Sequence, residues 1–395
     1  MMRWNRFAPL LVLALVAVPA RAADEDTTRA LKALRGVTKE GKGNEDAGPA
    51  WKVLVSKGGP ALFPTLEAFD ESNATATNWL RAAVDAIAEG EAAAKRPLPA
   101  DKLEAFVKDT KHAPTARRVA YELLIAQDAG AKDRLLPGFL NDKSPDLRRD
   151  AVARELDLLE KLARPTIKAD LQKLFTYTRD KDQVDLLAKK LEANGGKASV
   201  SEHFGFVTAL SLTGPFDAPD GKGYLTPHPP ETAKDATGTF KGKENADLKW
   251  GAFDTADKYG SFDLNKLLGK HKNAVAYAMA VVVTDADTPC EIRVTSITSV
   301  KLFLNGKELA GRDEYHHGAA FDALVGKGTL KKGENVIVVK VCQNDQKEQW
   351  AQNWFFQVRV CDGTGGPLPL KQKAGGKLQT LGFAAETEPK KEDKK

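Results

Sequence analysis

The chain has 395 residues, a formal net charge of +5 and 29% charged residues. Acidic and basic residues are so nearly balanced that we expect no bulk electrostatic attraction to nucleic acid or to anionic lipid. The length predicts two domains with additional terminal segments.

Residues 1–22 have the pattern of a secretory signal peptide. A basic start is followed by an apolar segment at 9–18 and by a small-x-small cleavage site at 20–22. The apolar segment is too short to span the ~30 Å hydrocarbon core of a bilayer. We therefore expect an exported mature chain that begins at Ala23, lies in the periplasm or outside the cell, and does not insert into a membrane.

The next segment, 23–197, has helical spacing of its apolar residues and no strand alternation. A pattern of one helix, a turn and a second helix recurs along it. The anchor residues of this pattern recur at steps of 37, 33 and 35 residues, at Leu66, Leu103, Leu136 and Leu171. Such units cannot bury their apolar faces alone, so we expect them to stack into an α-helical solenoid.

One of these units, 135–158, begins LLPGFLNDKSPDLRRDAV and resembles a HEAT repeat. The resemblance implies a ladder of hydrogen bonds between neighbouring repeats, in which Asp142 would pair with Arg148 or Arg149. It also implies a concave surface that binds a protein partner. The alternative is that the helical domain only supports the second domain.

After Asn194-Gly195-Gly196 the apolar period changes to two, which indicates strands. The clearest stretch, 300–360, contains three alternating runs: VKLFL, ENVIVVKV and WFFQVRV. Asn305-Gly306 and Gly333 supply turns between apolar runs, and this arrangement is typical of an antiparallel sheet. A further long run at 275–283 has three alanines on its opposite face.

The order of Gly214-Pro215-Phe216, Pro229-Pro230-Glu231, Trp250 and the later strands resembles a galactose-binding-like jelly roll of exported bacterial proteins. The late part also resembles the sugar-binding sandwich of family 2 glycoside hydrolases. The resemblance implies an antiparallel β-sandwich over 198–362 and a carbohydrate-binding role, but its motifs specify turns and core and not a ligand. The predicted fold class is therefore α+β multidomain, with a HEAT-like solenoid followed by a jelly roll.

Residues 363–395 are rich in Gly, Pro and Lys and poor in apolar residues. This composition predicts a disordered tail.

Several classes of catalytic site have no motif in the chain. The nucleophile elbow, the zinc-protease helix, the phosphate-binding loop and the dinucleotide fingerprint are all absent from the sequence. Glycoside hydrolysis needs two opposed carboxylates, and Glu231, Asp263 and Glu314 are acids that the sequence does not resolve into a pair. We expect a non-catalytic protein, with a glycan-active hydrolase, or an accessory part of one, as the alternative.

The densest group of ligand-type side chains runs from Asp313 through Tyr315 and His316 to His317. Adjacent strand residues point to opposite faces, so the two imidazoles would not share one metal ion. Aromatic residues are scarce, at 7%, and Trp350 and Tyr315 are those expected in loops. Sugars stack on exposed aromatic rings. Trp350, Tyr315, His316 and Asp313 are therefore the candidate ligand-binding residues, although Trp350 could instead cap the core.

A structural calcium ion is the one metal that the sequence leaves open, and no other cofactor is expected. Its candidate ligands are five aspartates: Asp254, Asp257, Asp263, Asp285 and Asp287. Calcium takes six to eight oxygen ligands from a tightly curled loop, and the EF-hand spacing is absent. We expect these carboxylates to cap turns.

The sequence thus predicts an exported binding protein that recognises a carbohydrate or a cell-envelope glycan through its β-domain and binds no nucleic acid. A protein–protein scaffold of the envelope is the alternative from another class.

Overall fold

The computed structural model describes residues 24–161 and 167–382, in which a helical N-terminal region precedes antiparallel β-sheets. The predicted signal peptide lies outside these residues. The chain divides into two compact units at Lys132/Asp133. This boundary differs from the one at 197/198 that the change of apolar period suggested, because the last helices group with the sheets.

The helices of the described residues are α1 (Glu25–Arg35), α2 (Asn44–Lys57), α3 (Gly59–Glu67), α4 (Ala74–Ala93), α5 (Ala100–Lys108), α6 (Pro114–Gln127), α7 (Ala131–Leu135), α8 (Pro145–Lys161), α9 (Ile167–Tyr177), α10 (Lys181–Ala193), α11 (Val200–Phe204) and α12 (Leu264–Leu267).

The four anchor leucines of the recurring sequence pattern are all buried. Leu66 lies in α3, Leu103 in α5, Leu136 in a 3₁₀ turn at Leu136–Phe139, and Leu171 in α9. Each is followed by a second helix, namely α4, α6, α8 or α10. The apolar spacing therefore predicted the order of helix, turn and helix at all four places.

The strands are β1 (Ala209–Asp217), β2 (Thr239–Lys241), β3 (Asp247–Lys249), β4 (Gly251–Asp254), β5 (Phe262–Asp263), β6 (Ala274–Thr284), β7 (Thr288–Ser296), β8 (Val300–Leu304), β9 (Lys307–Arg312), β10 (Leu324–Leu330), β11 (Gly333–Gln343), β12 (Phe355–Cys361), β13 (Lys371–Ala374) and β14 (Lys377–Thr380).

These strands form a large and a small antiparallel sheet, and β2 pairs separately with β3. The large sheet has the order β14-β13-β6-β11-β8-β9, and β1 pairs with both β6 and β4. The small sheet has the order β10-β7-β12-β5. Side chains of both sheets meet in one apolar core, to which Ile292, Val339, Trp354 and Val358 contribute.

The central strand β6 is buried on both faces. Its alanines, among them Ala276 and Ala278, pack into the core shared with the small sheet. Its larger residues, Val275, Tyr277 and Met279, lie on the other face, which we call the outer face of the large sheet. Alternation alone predicted a strand here, and a second apolar covering explains why the outer side chains are also apolar.

The segment 218–250, which is mostly loop and contains the short strands β2 and β3, supplies part of that covering. Phe240, Leu248 and Trp250 pack against the outer face together with Phe216 at the end of β1. The Gly- and Pro-rich composition of the segment therefore encodes a loop layer that shields part of one sheet from water.

The segment predicted to be a disordered tail differs from that prediction over its described part, 363–382. Strand β13 pairs with β6, with Gln372 opposite Val282, and β14 pairs with β13. The side chain of Gln372 is buried, accepts hydrogen bonds from the main-chain N–H groups of Thr208 and Ala209, and donates one to the Thr208 hydroxyl. Residues 383–395 lie outside the described residues.

Aromatic packing explains why α8 to α11 group with the sheets. Phe175 and Phe204 from the helices join Phe206, Tyr259 and Phe321 in one cluster. Arg359 of β12 is 2% exposed and lies over the Phe204 and Phe321 rings, at 5.3 and 5.2 Å from their centroids. These cation–π contacts add to apolar burial at this junction.

No helix within 24–161 or 167–382 has the length and apolar composition needed to cross a membrane. The three cysteines are buried and not bridged.

Candidate functional site

Two loops of the β-region bring Trp350 and His316 together. Trp350 is 59% exposed, yet its ring meets the His316 ring edge-on, with the centroids 5.3 Å apart and the planes at 83°. The Tyr315 ring lies 6.2 Å from that of His316. We call the pair Trp350 and His316 the Trp350 platform, because it presents an aromatic surface that another ring partly supports.

The loop that carries Trp350, 344–354, joins β11 to β12, and we call it the 350 loop. Lys272 Nζ and Gln343 Nε2 donate hydrogen bonds to the Ala351 carbonyl, at 2.7 and 3.3 Å. Asn265 Nδ2 donates to the Gln352 carbonyl at 2.8 Å. These bonds to the main chain fix the backbone beside Trp350. None of them involves the Trp350 side chain, which stays exposed.

His316 is held in a strained conformation with its ring against Trp350. Its φ is +57°, in the left-handed region that non-glycine residues rarely adopt. Its Nε2 lies 2.8 Å from Oδ1 of Asn344, whose Nδ2 donates in turn to Gln346 Oε1. Such strain persists only where surrounding contacts over-determine it, and these two bonds supply part of that support.

The other two predicted ligand-binding residues anchor the same region. Tyr315 packs against the outer-face cluster, and burial raises the pKa of its hydroxyl. Asp313 accepts a hydrogen bond from the Ser299 hydroxyl at 3.0 Å. The structure therefore places Asp313, Tyr315, His316 and Trp350 on two adjoining loops, with the aromatic surface offered to solvent by Trp350.

The predicted ladder residues lie in and beside α8. Arg149 donates to both carboxylate oxygens of Asp182, at 2.8 and 2.5 Å, and so links α8 to α10. Arg148 Nη1 donates to the main-chain carbonyl of Asp142 at 2.6 Å. Replacing the Asp142 side chain would leave that acceptor in place.

The five aspartates proposed for calcium include turn caps. Asp257 accepts hydrogen bonds from the Tyr259 and Ser261 N–H groups, Asp263 caps α12, and Asp287 accepts from the Lys332 N–H group. Within the described ranges, no three His, Cys, Asp or Glu side chains lie close enough together to hold a metal ion.

The acids considered for glycoside hydrolysis are each engaged elsewhere. Asp263 caps α12, and Glu314 pairs with Arg312 at 2.5 Å. Glu231 Oε1 accepts hydrogen bonds from Lys340 Nζ at 2.8 Å and from the Tyr277 hydroxyl at 2.7 Å. Burial would raise the pKa of Glu231, but these two bonds outweigh it and lower that pKa. The Glu231 carboxylate is thus poorly suited to act as a general acid.

This buried network on the outer face is the feature that sequence reasoning missed. The Lys340 side chain is 1% exposed, and Nζ also donates to the Tyr224 and Thr226 carbonyls, at 3.2 and 2.7 Å. The network attaches the covering segment to β11. A lysine in the middle of an apolar strand was its only signal in the sequence.

No protein-family model matches this chain, and no curated protein matches its sequence. Among solved structures, an anti-sigma factor domain-containing protein from Clostridium clariflavum is 12% identical, over 44% of this chain and 45% of its own length, with a TM-score of 0.20. A GH31 alpha-xylosidase from Xanthomonas citri is 12% identical, over 42% of this chain and 16% of its own, with a TM-score of 0.19.

A beta-glucosidase from Kluyveromyces marxianus is 11% identical, over 77% of this chain and 38% of its own, with a TM-score of 0.22. The matched part is less than half the length of each of these three proteins. Likenesses this low carry no argument about the fold or the function of this chain.

Proposed function

We propose that this protein is an exported, non-catalytic binding protein that recognises a carbohydrate or a cell-envelope glycan at the Trp350 platform. The observation that carries the proposal is a large aromatic ring left 59% exposed on a loop whose backbone is fixed by three side chains. A rigid exposed ring binds a sugar face without a large loss of conformational entropy.

The polar surroundings of the ring suit a glycan. The amide side chain of Asn344 contacts His316 and donates to that of Gln346, and amides both donate and accept hydrogen bonds, as sugar hydroxyls require. Asp345, Lys347 and Glu348 in the same loop carry charges of both signs, which favours no strongly charged ligand.

We also propose a specific fold for each of the two regions. Two antiparallel sheets that share one apolar core support a galactose-binding-like jelly roll, and the Arg149–Asp182 pair between α8 and α10 supports HEAT-like stacking. The helical region would then be a support or a protein-interaction module. Export rests on the signal-peptide pattern in 1–22.

The test is a glycan array probed with the whole mature chain, because α8 to α11 and β13 pack with the sheets. Neutral polysaccharide fragments and peptidoglycan fragments should both be present. Trp350→Ala should weaken binding about fivefold, as expected for loss of ~1 kcal/mol of stacking.

Leu225→Ala is the matched control, because Leu225 is 71% exposed and lies outside the 350 loop. This variant should bind like the unmodified chain. Absence of any glycan ligand, or equal binding by Trp350→Ala, would overturn the proposal.

A further inference from the structure

A single asparagine joins the two loops of the Trp350 platform. Asn344 is the first residue of the 350 loop and is half-buried. Its Oδ1 lies 2.8 Å from His316 Nε2, and its Nδ2 donates a hydrogen bond to Gln346 Oε1 at 2.8 Å. Its main-chain carbonyl accepts a hydrogen bond from the N–H group of Asn273, which directly precedes β6, at 2.9 Å. Asn344 therefore contacts three separate segments of the chain.

Both ends of the 350 loop are bound to one neighbouring segment. Lys272 Nζ donates to the Ala351 carbonyl at 2.7 Å, and the next residue, Asn273, donates its main-chain N–H to the Asn344 carbonyl. Since these two bonds lie on either side of Trp350, they hold the main chain that carries its ring. They leave the histidine ring of the platform to be placed by other contacts.

The hydrogen bonds of Asn344 determine which nitrogen of His316 carries a proton. The main-chain N–H group of Gln346 donates to the same Asn344 Oδ1 atom at 3.3 Å. Because a main-chain N–H group can only donate, the amide oxygen lies on this side of the Asn344 side chain. His316 Nε2 must then donate to that oxygen, and in the neutral ring Nδ1 carries no proton.

The surroundings of Nδ1 disfavour the other tautomer of His316. Nδ1 is buried and has no hydrogen-bond partner among the described residues. With the proton on Nδ1, that atom would be a buried donor without an acceptor, and the lone pair of Nε2 would face the Asn344 oxygen. The proton on Nε2 avoids both unfavourable contacts.

The orientation of the His316 ring depends on its side-chain contacts. The main chain of His316 has a φ of +57°, which few non-glycine residues adopt, so surrounding contacts must hold it there. The ring meets that of Trp350 edge-on, and the strength of such a contact depends on the orientation of both rings. A change in the orientation of His316 would therefore remove support from the Trp350 ring.

We propose that Asn344 is the positioning residue of the Trp350 platform. By accepting the Nε2 proton of His316, Asn344 holds that ring against Trp350 and so fixes the aromatic surface that meets the sugar. This role in sugar binding rests on the function proposed above. The effect of Asn344 on the His316 ring can be measured without any ligand.

The experiment records the ¹⁵N resonances of the histidine rings in the whole mature chain at pH 8, above the ordinary pKa of histidine. The chain has six histidines, and His316→Gln identifies the resonances that belong to His316. We expect the proton on Nε2. Nuclear Overhauser contacts should join the ring protons of His316 and Trp350.

Asn344→Leu removes the acceptor. The His316 proton should then exchange between the two nitrogens, and the ring contact with Trp350 should weaken. Affinity for a glycan that binds the unmodified chain should fall about twofold to tenfold, which is the range for loss of one aromatic pair. Asn344→Asp keeps an acceptor at the same place, so it should restore the Nε2 proton, the ring contact and most of the affinity.

Asn353→Leu is the matched control, because Asn353 is an exposed asparagine of the same loop. It should behave like the unmodified chain in all three measurements. If Asn344→Leu does not fold, the tautomers in the unmodified chain and in Asn344→Asp still decide the proposal.

A proton on Nδ1 of His316 in the unmodified chain would overturn the proposal, and so would an unchanged ring contact in Asn344→Leu. Loss of affinity in Asn344→Leu without any change at the histidine ring would also overturn it, because Asn344 would then act on the sugar directly. If no glycan binds the unmodified chain, the proposed function fails. Changes in the His316 proton and in the ring contact in Asn344→Leu would even then support the positioning role.

Discussion

The 350 loop holds two tryptophans in opposite surroundings. Trp350 is 59% exposed beside His316, whereas Trp354, four residues later, is 1% exposed in the core between the sheets. One tryptophan therefore packs in the core, and the other presents its ring to solvent. Trp354 directly precedes β12 and continues its alternation, so its ring lies in the core, while Trp350 lies outside any alternating run and its ring is exposed to solvent.

The largest expected difference between the two rings is in stability. Trp354→Ala should lower the free energy of unfolding by about 3–5 kcal/mol, as large-to-small changes in a core do. Trp350→Ala should change it by less than about 0.5 kcal/mol, because an exposed side chain contributes little. Urea denaturation of both variants measures the difference, and a similar loss in both would mean that the Trp350 ring caps the core.

A second contrast lies between the two faces of the large sheet, since among residues 24–161 and 167–382 only the outer face of this sheet holds a buried ion pair. Lys340→Met should destabilise the protein by about 3 kcal/mol or more, because Glu231 would keep a buried charge without its partner. The double variant Lys340→Met, Glu231→Gln should recover part of that loss in the same denaturation experiment. Additive losses would show that the two side chains are not coupled.

A smaller effect is expected at the junction between the helices and the sheets. Burial, with repulsion from Arg179, lowers the pKa of His203 to about 3, against about 6.5 in the unfolded chain. The folded state then binds fewer protons than the unfolded state between these values, so the stability from neutral His203 is complete above pH 6.5 and decreases as the pH falls toward 3.

The window from pH 6.5 to 5 isolates this histidine from carboxyl groups with ordinary pKa values. Melting temperatures of His203→Asn should fall less steeply across that window than those of the unmodified chain. Equal pH dependence of the melting temperature in the two proteins would contradict the lowered pKa of His203.

The parts of the fold that the sequence predicted are those with a repeated local pattern. The spacing of Leu66, Leu103, Leu136 and Leu171 matched four helical segments in which these leucines are buried, and the alternation in 300–360 matched β8, β11 and β12. In both places the residues that the local periodicity places on one face are the residues buried in the fold, so the pattern is sufficient to predict the helices and strands.

The parts that escaped prediction depend on partners distant in sequence. Strand β13 is short and lysine-rich, and only its pairing with β6 and the buried side chain of Gln372 reveal it. The Lys340–Glu231 bond joins residues 109 positions apart. The candidate site also depends on two loops that are distant in sequence. No spacing in the sequence indicates that the His316 ring contacts the Trp350 ring.

The central claim is that Trp350 is the ligand-binding aromatic, and one measurement tests it most directly. Calorimetric affinities for the best glycan from the array should be compared for the unmodified chain, Trp350→Phe and Trp350→Ala, alongside their melting temperatures. We predict equal melting temperatures, partial affinity with phenylalanine and a loss of about fivefold or more with alanine. Equal affinity of all three proteins for the glycan would contradict the account.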